Sequence, residues 1–393
     1  MSDVNVLIVD TTLRDGEQTA GVAFTTEEKV QIAQMLDQIG VPEIEVGTPA
    51  LGDCEAEAIT AITSQNLNAR LITWNRPIIR DIKDSIAYGI TSVAISIPVS
   101  DIHLKFVLKK SHRWILERVK EATLYAKRNG LYVSVNAGDA SRADLEFLVH
   151  FMRESKTAGA DRIRYCDTVG LLDPLRTYEI VTRLIDEVGI DIEMHTHNDF
   201  GLATANAIAG VRAGAKYVNT TVNGLGERAG NACLAEVVMA LKHIDGIDTG
   251  VDVSQLRTIS QYVEIASRQP VSPNKPIVGS NIFSHESGIH TDGMIKHSSA
   301  YEAFTPEEVG EQRRFLIGKF SGSHAIRYKF REDLGIELPE DLVPEVLSRV
   351  RKLSVQLKRS LTDEELLFIY RSICKDIFPN STNSDRINNL VYN

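Results

Sequence analysis

The chain has 393 residues, and 43 Lys and Arg against 53 Asp and Glu leave it a formal charge of −10. That surplus of negative charge argues against a nucleic-acid or anionic-membrane binder and directs attention to small-molecule partners. With 43% hydrophobic and 24% charged residues, disorder across the chain is excluded, and there is length for one domain of about 250 residues and something smaller. The four cysteines, Cys54, Cys166, Cys233 and Cys374, form no CxxC pair, which excludes a disulfide framework or a cysteine-rich zinc module and suits a reducing compartment. The opening MSDVNVLIVD has no basic segment ahead of a long apolar one, and no stretch reaches the roughly 18 apolar residues of a membrane span. The expected setting is the cytosol, with no membrane partner.

In chain order, VNVLIVD (residues 4–10) reads as a strand, and TEEKVQIAQMLDQI (26–39) has apolar residues at helical spacing and stops at Gly40. The alternation repeats: EIEVG precedes a helix from Glu55, ARLIT one from Ile79, and SVAISI one from about Ser111 to Arg128. LYVSV, RIRYCD, DIEMHTH and YVNTTV then lead into helices near 143–158, 174–187, 201–213 and 230–243. Eight such units, with no glycine-rich dinucleotide fingerprint, predict a closed (β/α)8 TIM barrel over residues 1–250 and not an open doubly wound sheet. A helix near 254–267 and the stretch PVSPNKPIVGSNIFSHESGIHTDG break the rhythm, so residues 251–330 read as a linker or lid region. Helical periodicity with Thr362 as an N-cap predicts a small helical subdomain over 331–380, followed by a polar tail over 381–393. Asn380-Ser381-Thr382 fits a glycosylation pattern, which reads as accidental in a chain expected in the cytosol.

In a barrel of this kind functional groups collect where strands end and βα loops begin. DTTLRDGEQ, after the first strand, crowds Asp10, Arg14, Asp15, Glu17 and Gln18 together. In EMHTHND, after the seventh, His195 and His197 lie two apart on an extended strand and so face one side. NGLGERAGN, after the eighth, offers Asn231. Closure of the sheet makes these three strands neighbours and gathers Asp15, His195, His197 and Asn231. Imidazoles with carboxylate and amide oxygens, and no thiolate, suit Mg²⁺, Mn²⁺ or Zn²⁺ with positions open to substrate. A His-Thr-His pair alone is a common accident; its placement with two other loops at one barrel mouth carries the expectation of a metal.

Taken together, DTTLRDGEQ, HTHND and NGLGERAGN resemble the DRE-TIM metallolyase family of homocitrate, 2-isopropylmalate and citramalate synthases and hydroxymethylglutaryl-CoA lyase, over roughly residues 4–330. GLGERAGNACLAE and HESGIHTDGMIK resemble the synthases more than the lyases. The resemblance implies acetyl-CoA as co-substrate and a divalent ion that chelates the ketone and carboxylate of a 2-oxo acid. It further implies that Arg14 stabilises the reacting oxygen, that Gln18 lies near the substrate, and that Thr168 of CDTVG binds the substrate carboxylate. His290 of SGIH then takes part in removing the methyl proton, with Tyr301 a second candidate. Because that region reaches over the neighbouring subunit in related synthases, a homodimer is implied. His103, near the end of the fourth strand, and Arg76, after the third, stand at the mouth as candidate oxo-acid contacts. Ser134 occupies the position where lysine-pathway relatives tend to carry an Arg for the distal carboxylate. The basic cluster Arg313, Arg314 and Lys319 reads as a solvated face.

One departure stands out: relatives usually carry Glu directly before the Asp of the loop after the fifth strand, and VSVNAGDASRAD has Gly138 there. Asp139, Glu17 or water would have to take its place, or activity is weakened. About 60 residues follow the region around His324, too few for the regulatory domain of about 100 residues or more typical of 2-isopropylmalate and citramalate synthases. The overall pattern most resembles nitrogen-fixation-type homocitrate synthases, implying condensation of acetyl-CoA with 2-oxoglutarate; in other organisms the same product starts lysine synthesis. The alternatives are a 2-isopropylmalate or citramalate synthase without a regulatory domain, or a weakly active paralogue that binds 2-oxo acids. A lyase would need a cysteine in a glycine-rich loop near the end of the barrel, where only Cys233 stands.

Overall fold

The computed structural model describes residues 6–377, which places the expected tail and the Asn380-Ser381-Thr382 pattern outside the described residues. These residues form two compact units, one ending at Val278 and the other beginning at Gly279.

In the first unit, eight strands form a closed parallel barrel: β1 (Leu7–Asp10), β2 (Glu43–Gly47), β3 (Arg70–Asn75), β4 (Ser92–Pro98), β5 (Tyr132–Gly138), β6 (Arg162–Asp167), β7 (Asp191–Thr196) and β8 (Tyr217–Thr220). Closure is made by β1 beside β8, with Leu7 opposite Tyr217 and Asp10 opposite Thr220. The helices are α1 (Thr26–Gln38), α2 (Asp53–Thr63), α3 (Ile79–Ala87), α4 (His112–Arg128), α5 (Leu145–Thr157), α6 (Pro174–Val188), α7 (Ala203–Arg212) and α8 (Leu234–Ile244). Side-chain caps set several of their starts: Thr25 and Glu28 form a reciprocal capping box on α1, and Asp173 caps α6 ahead of Pro174. Between strands and helices, Ile95, Val133, Ile163 and Ile192 pack against Ile115, Val119, Leu148, Met152 and Leu184.

The unit runs on past the expected boundary at residue 250. Helix α9 (Leu256–Ser267) buries Leu256, Ile259 and Val263, and the Ser260 hydroxyl donates to Asn223 Oδ1 at 2.5 Å. The Asp252 N–H donates to the carbonyl of Ile39 at 2.7 Å. An amphipathic helix read as the start of a linker is thus part of the barrel unit.

The barrel interior carries charge where apolar layers are usual. Arg162 bridges Glu43 and Glu193, and Arg164, two residues further along β6, bridges Glu45 and Glu193. All five are buried. Asp10, at the end of β1, accepts from the Thr12 N–H at 2.9 Å and the Thr220 hydroxyl at 3.5 Å. Burial outweighs these bonds and pushes its pKa up to about 7. Since this lies above the ordinary carboxylate value of about 4, the contribution of Asp10 to stability is complete below that pH and is lost as pH rises through 7. Asp10→Asn is therefore expected to raise Tm by about 4 °C at pH 8 and by less than about 1 °C at pH 5 in thermal melts. Equal shifts at both would show that Asp10 stays ionised in the fold.

The second unit holds the short parallel pair β9 (Ser284–His285) and β10 (Arg314–Phe315) and helices α10 (Gly288–Lys296), α11 (Ser323–Tyr328), α12 (Val343–Leu357) and α13 (Asp363–Ile377). Its core is Ile317, Ile326, Phe330, Val346, Val350, Leu366 and Ile373. Thr362 caps α13 as expected, with the Glu365 N–H donating to its hydroxyl at 3.3 Å and its own N–H donating to Glu365 at 2.8 Å. The basic cluster is only partly a solvated face, because Arg313 clamps Glu302 with two bonds of 2.6 Å.

Candidate metal and active site

Loop geometry presents the first-strand residues. The carbonyl of Thr11 accepts from the N–H groups of Arg14, Asp15 and Gly16 at 3.1, 2.8 and 3.0 Å, which folds DTTLRDG into a compact turn over the end of β1. In the loop after β8, Gly226 and Gly230 have φ of +147° and +87°, and a Cβ on either would lie 2.2 Å from Asn231 Nδ2 or 1.9 Å from the Gly224 carbonyl. Only glycine lets this loop close tightly enough to seat Asn231.

There, Asn231 donates through Nδ2 to Asp15 Oδ2 at 2.9 Å and to the Leu225 carbonyl at 3.0 Å. Asp15 Oδ2 lies 3.4 Å from His195 Nε2 and 3.7 Å from His197 Nε2, and the two imidazole nitrogens are 3.1 Å apart. All four residues are buried. Burial alone would raise the pKa of Asp15, but Arg14 and the two histidines hold it well below the usual carboxylate range. Burial pushes His195 down, and burial with His195 alongside brings His197 down to about 4, so both imidazoles are neutral near pH 7.

These residues fit a divalent cation. Separations of 3.1, 3.4 and 3.7 Å are the edges expected of a coordination shell with bonds of about 2.0–2.2 Å. His195 Nδ1 is 2.8 Å from Asn219 Oδ1, which fixes the tautomer with Nε2 unprotonated and facing the cluster. Asn231 Oδ1 is buried with no partner among the described residues, an acceptor left for a fourth ligand bond. Asp15, His195 and His197 form the group among the described residues whose donor atoms converge in this way.

Around the cluster is a cavity of about 160 Å³ whose lining includes Arg14, Asp15, Gln18, Thr168, His195 and His197. Arg14 pairs with Glu45 and, through Nη1 at 3.0 Å, with Asp15. Thr168 Oγ1 accepts from the Asp139 N–H at 2.8 Å. Six of the sequence-derived site residues are thus brought together, and Asn231 sits directly behind them.

Three others are not at the cavity. Arg76 is half exposed and clamps Asp81 with Nε at 2.8 Å and Nη2 at 2.9 Å, so its charge is spent on the start of α3. His103 gives Nδ1 to Asp139 Oδ2 at 2.8 Å, beside the Ser100 hydroxyl, and is absent from the lining. Ser134 is fully buried one step below the cavity, its hydroxyl 3.2 Å from Asn136 Oδ1 and 3.5 Å from Glu193. His290 and Tyr301 belong to the second unit, where their rings face one another with centroids 4.4 Å apart. Conversely, Trp74, Asn136, Arg164, Cys166 and Arg228 line the cavity without having been singled out. The signal for Arg164 was present: charged residues alternating along EIEVG, RIRYCD and DIEMHTH mark one inward face.

Gly138 also lines the cavity, and the side chains suggested as replacements for the missing glutamate are engaged elsewhere. Asp139 is held by Ser100, His103 and Arg142, while Glu17 accepts from the Phe24 N–H and pairs with Lys29. A Cβ at 138 would stand 3.1 Å from Pro98 Cα, directly across the β4–β5 pairing. Gly138→Glu is expected to lower the stability to urea by about 1–3 kcal/mol. An unchanged unfolding midpoint would mean that β4 yields freely.

Fold and site together define a (β/α)8 barrel protein with a metal-ready cluster at the C-terminal mouth. The HMGL-like family model matches residues 5–263, and the model for the homocitrate synthase post-HMGL domain matches residues 277–358. The chain belongs to this family, the DRE-TIM metallolyases. It is 55% identical over 371 residues to 2-isopropylmalate synthase 2 of Caldanaerobacter subterraneus subsp. tengcongensis, covering 94% of this chain and 96% of that one. It is 53% identical to homocitrate synthase 1 of Nostoc sp. (92% and 96% covered) and 43% identical to the 2-phosphonomethylmalate synthase of Streptomyces rubellomurinus (93% and 98%). Among solved structures, the HMG-CoA lyase of Bacillus subtilis shares the fold with a TM-score of 0.64 at 20% identity, covering 70% of this chain and 97% of that one. No helix among the described residues is long and apolar enough to cross a membrane.

Proposed function

We propose that this protein condenses acetyl-CoA with 2-oxoglutarate to give homocitrate and CoA. The observation that carries the reaction class is the convergence of Asp15, His195 and His197 beneath Arg14 in one small buried cavity. Relatives named 2-isopropylmalate, homocitrate and 2-phosphonomethylmalate synthase, each covered over more than nine-tenths of its length, support the class. For 2-oxoglutarate in particular, support comes from the post-HMGL match and from a cavity wall that includes Ser96, Asn136 and Arg164, too polar for a branched aliphatic tail.

Asp15, His195 and His197 would hold a divalent ion, which would supply Lewis acidity at the ketone of the 2-oxo acid. Arg14, anchored on Glu45 and Asp15, donates to the ketone oxygen as it becomes an alkoxide. Thr168 donates its hydroxyl hydrogen to the substrate carboxylate, since its oxygen already accepts from Asp139. In this reading His290 takes the methyl proton of acetyl-CoA with Tyr301 beside it, working across a homodimer. The methyl carbon bonds to the ketone carbon, the alkoxide takes up a proton, and water cleaves the thioester to release CoA. Incubation with methyl-labelled acetyl-CoA and an equimolar panel of 2-oxoglutarate, 2-oxoisovalerate and pyruvate is expected to yield labelled homocitrate as the main product by mass spectrometry. Predominance of labelled 2-isopropylmalate or citramalate would overturn the substrate assignment while leaving the class intact.

A further inference from the structure

We propose that Arg164, with Asn136 beside it, recognises the far end of the substrate and selects 2-oxo acids bearing a second anionic group over those with apolar tails. This rests on the reading above, in which the keto-acid end sits at the Asp15–His195–His197 cluster.

Arg164 points into the barrel from β6 and is fully buried. Its Nη2 lies 2.6 Å from Glu45 Oε2 and its Nε 2.6 Å from Glu193 Oε1 as ion pairs, yet all three guanidinium nitrogens are buried without a well-aligned hydrogen bond among the described residues. Neither carboxylate belongs to Arg164 alone, because Arg14 also holds Glu45 and Arg162 also holds Glu193. Arg14 and Arg162 also hold acids of their own, Asp15 and Glu43, so the charge of Arg164 is compensated; what stays costly is a buried guanidinium N–H without a well-aligned acceptor, until one arrives. Burial depresses the charged form of such a group, yet the two glutamates hold its pKa above the ordinary arginine value, so it presents a permanent cation.

Asn136 is the register partner of Arg164 across the β5–β6 pairing, and both line the cavity that holds the metal-ready cluster. Its Oδ1 accepts from the Ser134 hydroxyl at 3.2 Å, which leaves the amide N–H groups as the donors it can offer a ligand. A guanidinium edge and an amide edge on adjacent strands make a two-donor shelf matched to a carboxylate. Trp74 and the bare backbone of Gly138 line the same cavity and suit the methylene groups between the two ends of a dicarboxylate. The position expected to carry this role, Ser134, pairs in register with Arg162 and lies below the cavity. Recognition has moved one strand along and one step toward the mouth. An aliphatic tail would leave both donors unpaired in a closed space, so it is rejected by loss and not merely by weaker attraction.

The test compares 2-oxoglutarate, its terminal amide 2-oxoglutaramate and 2-oxovalerate, all five carbons long. With the unmodified protein, kcat/KM for 2-oxoglutarate is expected to exceed that for each of the others by about 10²-fold. In Arg164→Gln this ratio is expected to fall to about threefold or less, through loss on 2-oxoglutarate and not gain on 2-oxovalerate, with Arg164→Lys in between. The thermal stabilisation that 2-oxoglutarate gives in the presence of Mg²⁺, without acetyl-CoA, should shrink in parallel. An Arg164→Gln protein that keeps the full ratio overturns the proposal. If that variant does not fold, equal use of 2-oxoglutarate and 2-oxoglutaramate by the unmodified protein overturns it instead. Preference of the unmodified protein for 2-oxoisovalerate would sink the homocitrate reading itself, a result separate from either of these.

Discussion

Asp15→Asn is expected to weaken Mn²⁺ binding by about 10²-fold or more while leaving the fold intact. The carboxylate is the anionic member of the cluster, and the charge of the ligand set governs affinity for hard divalent ions. Its pKa, held far below the ordinary range by Arg14 and the histidines once burial is offset, keeps it ionised over the whole working pH range. Asparagine fills the same volume, and Arg14 keeps its pairing with Glu45, so the loop after β1 should survive the change. Titration calorimetry with Mn²⁺ reads the affinity, and circular dichroism checks the fold. Unchanged affinity in a folded variant would place the metal elsewhere.

The second large effect is at Arg14, where Arg14→Gln is expected to lower kcat by about 10²–10³-fold and to shift the KM for the oxo acid by no more than about threefold. Its guanidinium is fixed from two sides by Glu45 and Asp15, so it is held in place before charge develops on the substrate oxygen and costs little to reorganise then. A donor needed in the transition state lowers kcat; one that only binds the ground state raises KM. A rise in KM alone in steady-state kinetics would recast Arg14 as a binding residue. The variant also leaves Glu45 with Arg164 as its remaining ion-pair partner, so a melt must accompany the kinetics.

The barrel and the convergence of Asp15, His195 and His197 were legible in the sequence for one shared reason: both follow from strand order. Once strands seven, eight and one close the sheet, the motifs at their C-terminal ends must meet, and Asp15, His195, His197 and Asn231 do. Position along a strand was legible too, but partner choice was not. Arg76 stands at the mouth as spacing indicates, yet Asp81, five residues on, captures it. His103 was captured in the same way by Asp139, a residue whose left-handed backbone, φ +56°, turns its carboxylate toward Ser100 and His103. Ser134 missed the cavity by one inward step of β5, a depth that register reveals and residue type does not. The charged interior was written in the alternation of Glu43, Glu45, Arg162, Arg164 and Glu193, but charge inside a barrel runs against the usual apolar layers. Helix α9 was recognised as a helix and assigned to the wrong unit, because its bond to the loop after β8, and that of Asp252 just ahead of it to Ile39 at the end of α1, are long-range.

The most direct measurement is release of CoA thiol from acetyl-CoA by metal-stripped protein, before and after adding Mg²⁺ or Mn²⁺, with and without 2-oxoglutarate. Release is expected only when metal and oxo acid are both present, and Asp15→Asn should abolish it. Release that proceeds equally in excess chelator, or that is unchanged in Asp15→Asn, would contradict a condensation centred on Asp15, His195 and His197.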